Sequence, residues 1–133
     1  MLWSAVAVLV LVSSVRGQEA PPDHGEPRVT AEQAALLEEV RALAETDPQA
    51  AIGRIRQGLR PEASPALLFA LGALHAKTGQ LAAAEGMFAE ALAHGPNFLR
   101  ARQNLASVLA QQEKYTDAAR EMRAVLAQAP DRH

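Results

Sequence analysis

Four histidines, at positions 24, 75, 94 and 133, are the side chains of this chain best suited to bind a metal or carry a proton near neutral pH. A helical zinc site places two ligands one turn apart, and no two of these histidines stand at that spacing. The serines lie in no glycine elbow that would expose a nucleophile, and the glycines are scattered rather than gathered into a phosphate-binding loop. Cysteine is absent, which removes thiolate chemistry, disulfides and a lipid-carrying cysteine together. No catalytic residue, metal ligand or cofactor site is assigned, and the chain reads as a non-enzyme. The chemistry left is non-covalent recognition, and its placement depends on the elements that carry it.

The chain's 133 residues fit one domain, and a net charge of -2 gives no electrostatic reason to expect nucleic acid or an anionic membrane surface as partner. Alanine and leucine supply most of an apolar share of 49%, against 4% aromatic, which favours closely packed helices over sheets. An all-α fold is expected.

Residues 1–17, MLWSAVAVLVLVSSVRG, hold an apolar run from Leu2 to Val12 and then small and polar residues, with Val15 and Gly17 placed as in a signal-peptide cleavage site. They read as a secretory leader, so the protein is expected to be exported, to the periplasm or the medium. Left uncleaved, residues 2–15 would instead tether the chain to a membrane, although the run is shorter than the roughly 20 residues of a spanning helix. Residues 18–29, with three prolines and one glycine, have the composition of a flexible linker.

Thr30 opens the helical part, residues 30–133. Thr30 and Gln33 form a capping-box pattern, and Leu36, Leu37, Val40 and Leu43 give a helix to about Glu45 its apolar stripe. Asp47-Pro48 starts a second helix with an acidic cap and a proline where no amide is needed. Ala51, Ile52, Ile55 and Leu59 make its buried stripe and Pro61 stops it. Ser64-Pro65 starts the third helix by the same chemistry. Gly79 and Gly95 are placed to end helices three and four in the left-handed conformation that glycine adopts without penalty. Asn97 is placed to cap helix five, which runs to about Gln112, and Tyr115 to Gln128 forms helix six. Six helices in three antiparallel pairs result.

The pairs repeat. Moving landmarks on by 34 residues takes Leu71 to Leu105, Ala84 to Ala118, Phe88 to Met122, Ala91 to Val125 and Pro96 to Pro130. The residues Leu71-Gly72, Ala84, Phe88, Ala91 and Pro96 resemble the tetratricopeptide repeat family, whose pattern combines Leu-Gly in a first helix with small residues, a large apolar residue and a closing proline in and after a second. Residues 65–98 match it well. Residues 99–132 match more loosely, with Ala106, Met122 and Val125 at the corresponding places and Arg102 where the family favours Trp. Residues 30–60 form a degenerate first repeat, in which Ala51, Ile55 and Leu59 correspond to Ala84, Phe88 and Leu92 at a spacing of 33. Small residues at 72, 84 and 91 let two helices approach, and Phe88 fills the space between them. Arg120, Glu121 and Arg123 stand where the middle unit has Gly86, Met87 and Ala89, which reads as a charged outer face closing the array.

The resemblance implies a right-handed α-solenoid of about three helix-turn-helix repeats that binds a protein or peptide partner. It implies that the first helices of successive pairs line a concave groove. That places Phe69, Ala73 and Lys77 beside Arg100, Gln103, Asn104, Ser107 and Gln111, with local positive charge from Lys77, Arg100 and Arg102. Asn104 matches an asparagine that the family often directs at a peptide backbone. Ala35 and Glu39 occupy places where the family's clamp for carboxylate-ended chaperone tails has Lys and Asn, so that specificity is not expected. His75 takes an inner-helix place where the family often has Tyr, a packing role. The function expected is that of an adaptor or scaffold in an exported or envelope setting. The alternatives are a self-assembling repeat protein and an assembly factor held at a membrane by its N-terminal segment.

Overall fold

The computed structural model describes residues 25–58 and 64–128. The leader, residues 18–24 of the linker, Leu59, Pro61, Pro130, His24 and His133 lie outside the described residues. Six helices follow in chain order: α1 (Ala31–Thr46), α2 (Pro48–Gly58), α3 (Pro65–Lys77), α4 (Leu81–His94), α5 (Leu99–Gln111) and α6 (Tyr115–Gln128).

Local side-chain chemistry sets the starts of the first three. Thr30 Oγ1 accepts from the Gln33 amide at 3.0 Å while Gln33 Oε1 accepts from the Thr30 amide at 3.1 Å, so two otherwise unpaired donors are satisfied together. Asp47 Oδ1 accepts from the Ala50 amide at 3.0 Å, and Ser64 Oγ from the Leu67 amide at 3.4 Å. Asp47 also donates its own amide to Leu43 O at 2.8 Å, so one residue both ends α1 and opens α2. The α3–α4 turn spends three residues, Thr78 to Gln80, on the same task.

Each helix packs on its sequence neighbours, and the first helices of successive hairpins also touch, α1 with α3 and α3 with α5. The array is therefore quasi-one-dimensional, with one face formed by first helices. Between α3 and α4 the steric argument from sequence holds: a Cβ on Gly72 would fall 2.8 Å from Phe88 Cε1, so the ring occupies the space a side chain would need. Ala84, Phe88 and Ala91 are buried, as are their first-unit counterparts Ala51 and Ile55. His75 is buried too, its Nδ1 2.8 Å from Gln80 Oε1 and its Nε2 3.3 Å from an Arg56 guanidinium nitrogen, an arrangement that a neutral ring protonated on Nδ1 satisfies on both sides.

Three expectations are corrected. Gly79 has the left-handed conformation (φ +81°), but Gly95 does not, and the residue of α6's approach that does is Glu113 (φ +64°), 34 positions after Gly79. Both turns carry the same bond, from Gln80 N to His75 O at 2.8 Å and from Lys114 N to Leu109 O at 2.9 Å. The backbone repeat thus outlasts the glycine that suits it. Asn97 does not cap α5, which begins after Phe98 without a side-chain cap. Phe98 is 1% exposed, and its ring lies 5.0 Å from that of Phe69; packing rather than capping positions that start. The third correction concerns the last helix. Gly86 and Ala89 are already exposed in the middle unit, so charges at 120 and 123 mark no change of environment. The equivalents that do change are apolar: Phe88 is 1% exposed but Met122 43%, and Tyr115 and Leu126 stand at 64% and 60%. Leu81 and Leu92 pack beneath α5, whereas no described helix covers Tyr115 and Leu126.

Candidate functional site

Phe69, Ala73 and Lys77 recur every four residues and so share one face of α3. That face is one wall of a groove of about 490 Å³ whose other wall is α1, through Leu37, Val40 and Ala44. Phe98 and Arg100 close one end, and Glu26, Pro27 and Val29 border it from the segment before α1. The aromatic end is tightly built. The Phe69 ring is tilted against Phe88 at 5.6 Å as well as against Phe98, and the Arg100 guanidinium lies 4.8 Å over its centre, within cation–π range.

The charges in the groove are arranged in pairs. Arg100 donates Nε and Nη2 to the two oxygens of Glu26 at 2.8 and 2.9 Å, a bidentate fork. Those hydrogen bonds hold the Arg100 guanidinium above its ordinary value, against the opposing effect of partial burial. Arg41 pairs with Glu38 one turn away on α1. Lys77 donates instead to a carbonyl, Ala44 O at 3.4 Å, at the end of α1 where the helix dipole favours a cation.

The eight residues expected to share one groove fall into three adjoining hollows. Phe69, Ala73, Lys77 and Arg100 line the groove just described. Asn104, Ser107 and Gln111 line a smaller hollow between α3 and α5, of about 210 Å³, which Ala73 also borders. The two depressions meet across a methyl group. In the smaller one Gln111 Nε2 donates to Ser107 Oγ at 3.3 Å. Gln103, again with Ser107, lines a third hollow between α5 and α6, beside Ala106, Ala118 and Met122.

The expected cluster of positive charge is corrected. Arg102 reaches Glu121 at 2.9 Å and Pro96 O at 3.0 Å, so it braces α6 and the α4–α5 turn and faces away from the groove. With Arg100 occupied by Glu26, Lys77 is the one of the three expected cations not held by a carboxylate there. Glu39 pairs with Arg54 of α2 at 2.6 Å and, with Ala35, lines a separate hollow between α1 and α2, so neither position looks into the groove.

Sequence reasoning missed Phe98 and Glu26. An aromatic residue wedged between Pro96-Asn97 and the start of an apolar helix was a readable signal for Phe98. Glu26 had none, because its partner lies 74 residues away and its own neighbours have linker composition.

Residues 75–133 match the family model of the tetratricopeptide repeat. No curated protein matches the chain. The match takes in α4, α5 and α6 and both turns that carry the repeated bond, Gln80 N to His75 O and Lys114 N to Leu109 O. Residues 75–133 thus carry tetratricopeptide-repeat sequence, within an all-α array of helical hairpins.

Proposed function

We propose that this protein is an adaptor that binds an extended stretch of a partner protein along its first-helix face, and that it works after export, directed by residues 1–17. The observation that carries the reading is the groove between α1 and α3, which combines an apolar floor at Phe69, Ala70 and Ala73 with cations at its ends, Lys77 and Arg100. A preformed groove on rigid helices spares the protein's side of the complex most of the ordering cost of binding. No catalytic role is assigned to any residue.

Ala73 is the place to test it, because a large side chain there fills the groove and blocks its junction with the Asn104 hollow. Partner proteins captured from the envelope or secretion fraction by the parent chain are expected to be lost with Ala73→Trp at an unchanged melting temperature. Equal recovery by both chains removes the groove from the reading. N-terminal sequencing of the mature protein tests export, and an intact Met1 speaks for a tether or for residence inside the cell.

A second reading, self-association, draws on the exposed stripe of Tyr115, Met122 and Leu126 along α6. These positions lie within about 40° of one another around the helix. A second copy presenting the same stripe would cover it.

A further inference from the structure

The border of the groove is made by the chain itself, at a place where its composition predicts a tether. Gly25 has φ +74° and sits so close to the Asn97–Phe98 peptide that a Cβ would fall 1.5 Å from Asn97 O. Glu26 forks onto Arg100, and Pro27 and Val29 border the apolar floor. Residues 25–29 thus lie over the first-helix face with a close backbone approach, a bidentate ion pair and apolar contact. Taking Glu26 away leaves Arg41, Lys77 and Arg100 against Glu38 among the groove's charged residues, an excess of two positive charges, three minus one.

We infer that residues 25–29 act as a ligand in cis, and that the partner they stand in for is an extended acidic segment. This rests on the adaptor reading above. One carboxylate of the partner takes the place of Glu26 on Arg100, and a second reaches Lys77. The exchange at Arg100 replaces one carboxylate with another, and an ion pair as exposed as this one, with side chains 59% and 39% accessible, contributes little to holding the segment down. The advantage of the segment is its tether, which gives it an effective concentration in the millimolar range. A partner must therefore add contacts that the segment does not make, and Lys77 supplies one. The apparent affinity is lowered by the fraction of chains whose groove is covered, and a basic segment gains nothing from displacing Glu26.

The test uses a peptide of the chain's own residues 21–30, PPDHGEPRVT, titrated into the full chain and read by NMR. Gly25→Val in the protein displaces the cis segment, because the added side chain cannot coexist with Asn97 O, and it alters no side chain of the groove walls. The variant is expected to bind the peptide at least tenfold more tightly than the parent does, with shifts at Phe69, Ala73, Lys77 and Arg100. Added salt should weaken the binding. A peptide carrying lysine in place of the glutamate should not bind. Glu26→Gln, which leaves the backbone unchanged, should move the affinity in the same direction by about two- to fivefold, the worth of an exposed ion pair. Equal affinities for parent and Gly25→Val, equal binding of the lysine peptide, or no binding to any form each overturn the inference. Those outcomes leave the adaptor reading standing, since it falls only if partner capture is indifferent to Ala73→Trp.

Discussion

Phe88 and Met122 occupy the same place in the repeat and do different work. Phe88 is enclosed by Gly72, Phe69 and the helices on both sides, so truncation leaves a cavity whose walls are held by neighbouring backbone. Phe88→Ala is expected to cost about 3 to 5 kcal/mol in denaturant unfolding. Met122 is half in solvent, and Met122→Ala should cost under about 1 kcal/mol. Equal losses at the two sites would show that Met122 is as enclosed as Phe88. Glu113 is a second case of a repeat position filled by a different residue. It holds the left-handed conformation that Gly79 holds one repeat earlier, and for a residue with a Cβ this costs about 1 to 2 kcal/mol. Glu113→Gly removes that strain and adds back some chain entropy in the unfolded state. The net expectation is a gain of about 0.5 to 1 kcal/mol, seen as a raised melting temperature; a lowered one would mean that the Glu113 side chain holds the turn. The sequence register located Met122 as the equivalent of Phe88 but not the consequence, since equivalence in a repeat says nothing of what lies next to it.

Helices were the most legible level, because their starts are local. Thr30, Asp47 and Ser64 each cap within three residues, and their contacts could be read from type and spacing. The α5 start was misread at Asn97 because the deciding contact, Phe98 on Phe69, crosses between hairpins. The α5–α6 turn is another such case. Glu85 of α4 accepts from Lys114 Nζ at 2.9 Å and from Gln112 Nε2 at 2.8 Å, tying both sides of that turn to the preceding helix. The Lys114 bond first, and the Gln112 bond second, hold the Glu85 carboxyl below its ordinary value of 4.5. A carboxyl with a depressed folded value stabilises the fold above its unfolded pKa, and that contribution is lost as pH falls through the folded value. Thermal unfolding of the parent should therefore lose stability below about pH 4.5, with a shallower loss in Glu85→Gln. Parallel curves for the two would remove Glu85 from the acid sensitivity of the turn.

At the scale of the whole molecule, the helical array was foreseen as a class, and the packing at its two ends was not. The 34-residue pattern is a packing rule between neighbours, so it specifies an interior and is silent where no described helix lies alongside. At the front, the cis segment crosses to Arg100 through a contact no periodicity encodes. At the back, α6 keeps the apolar residues of an inner helix, and Leu126 is 60% exposed where its counterpart Leu92 packs on the core. An exposed apolar stripe of that kind lowers solubility unless something covers it. If the cover is a second copy, the parent's sedimentation coefficient rises with concentration and Leu126→Glu holds it at the monomer value. The substitution adds a charge at a site that costs the monomer little to change, so both chains should melt alike when dilute. A parent that sediments as a monomer throughout would remove self-association and leave α6 as an uncovered face.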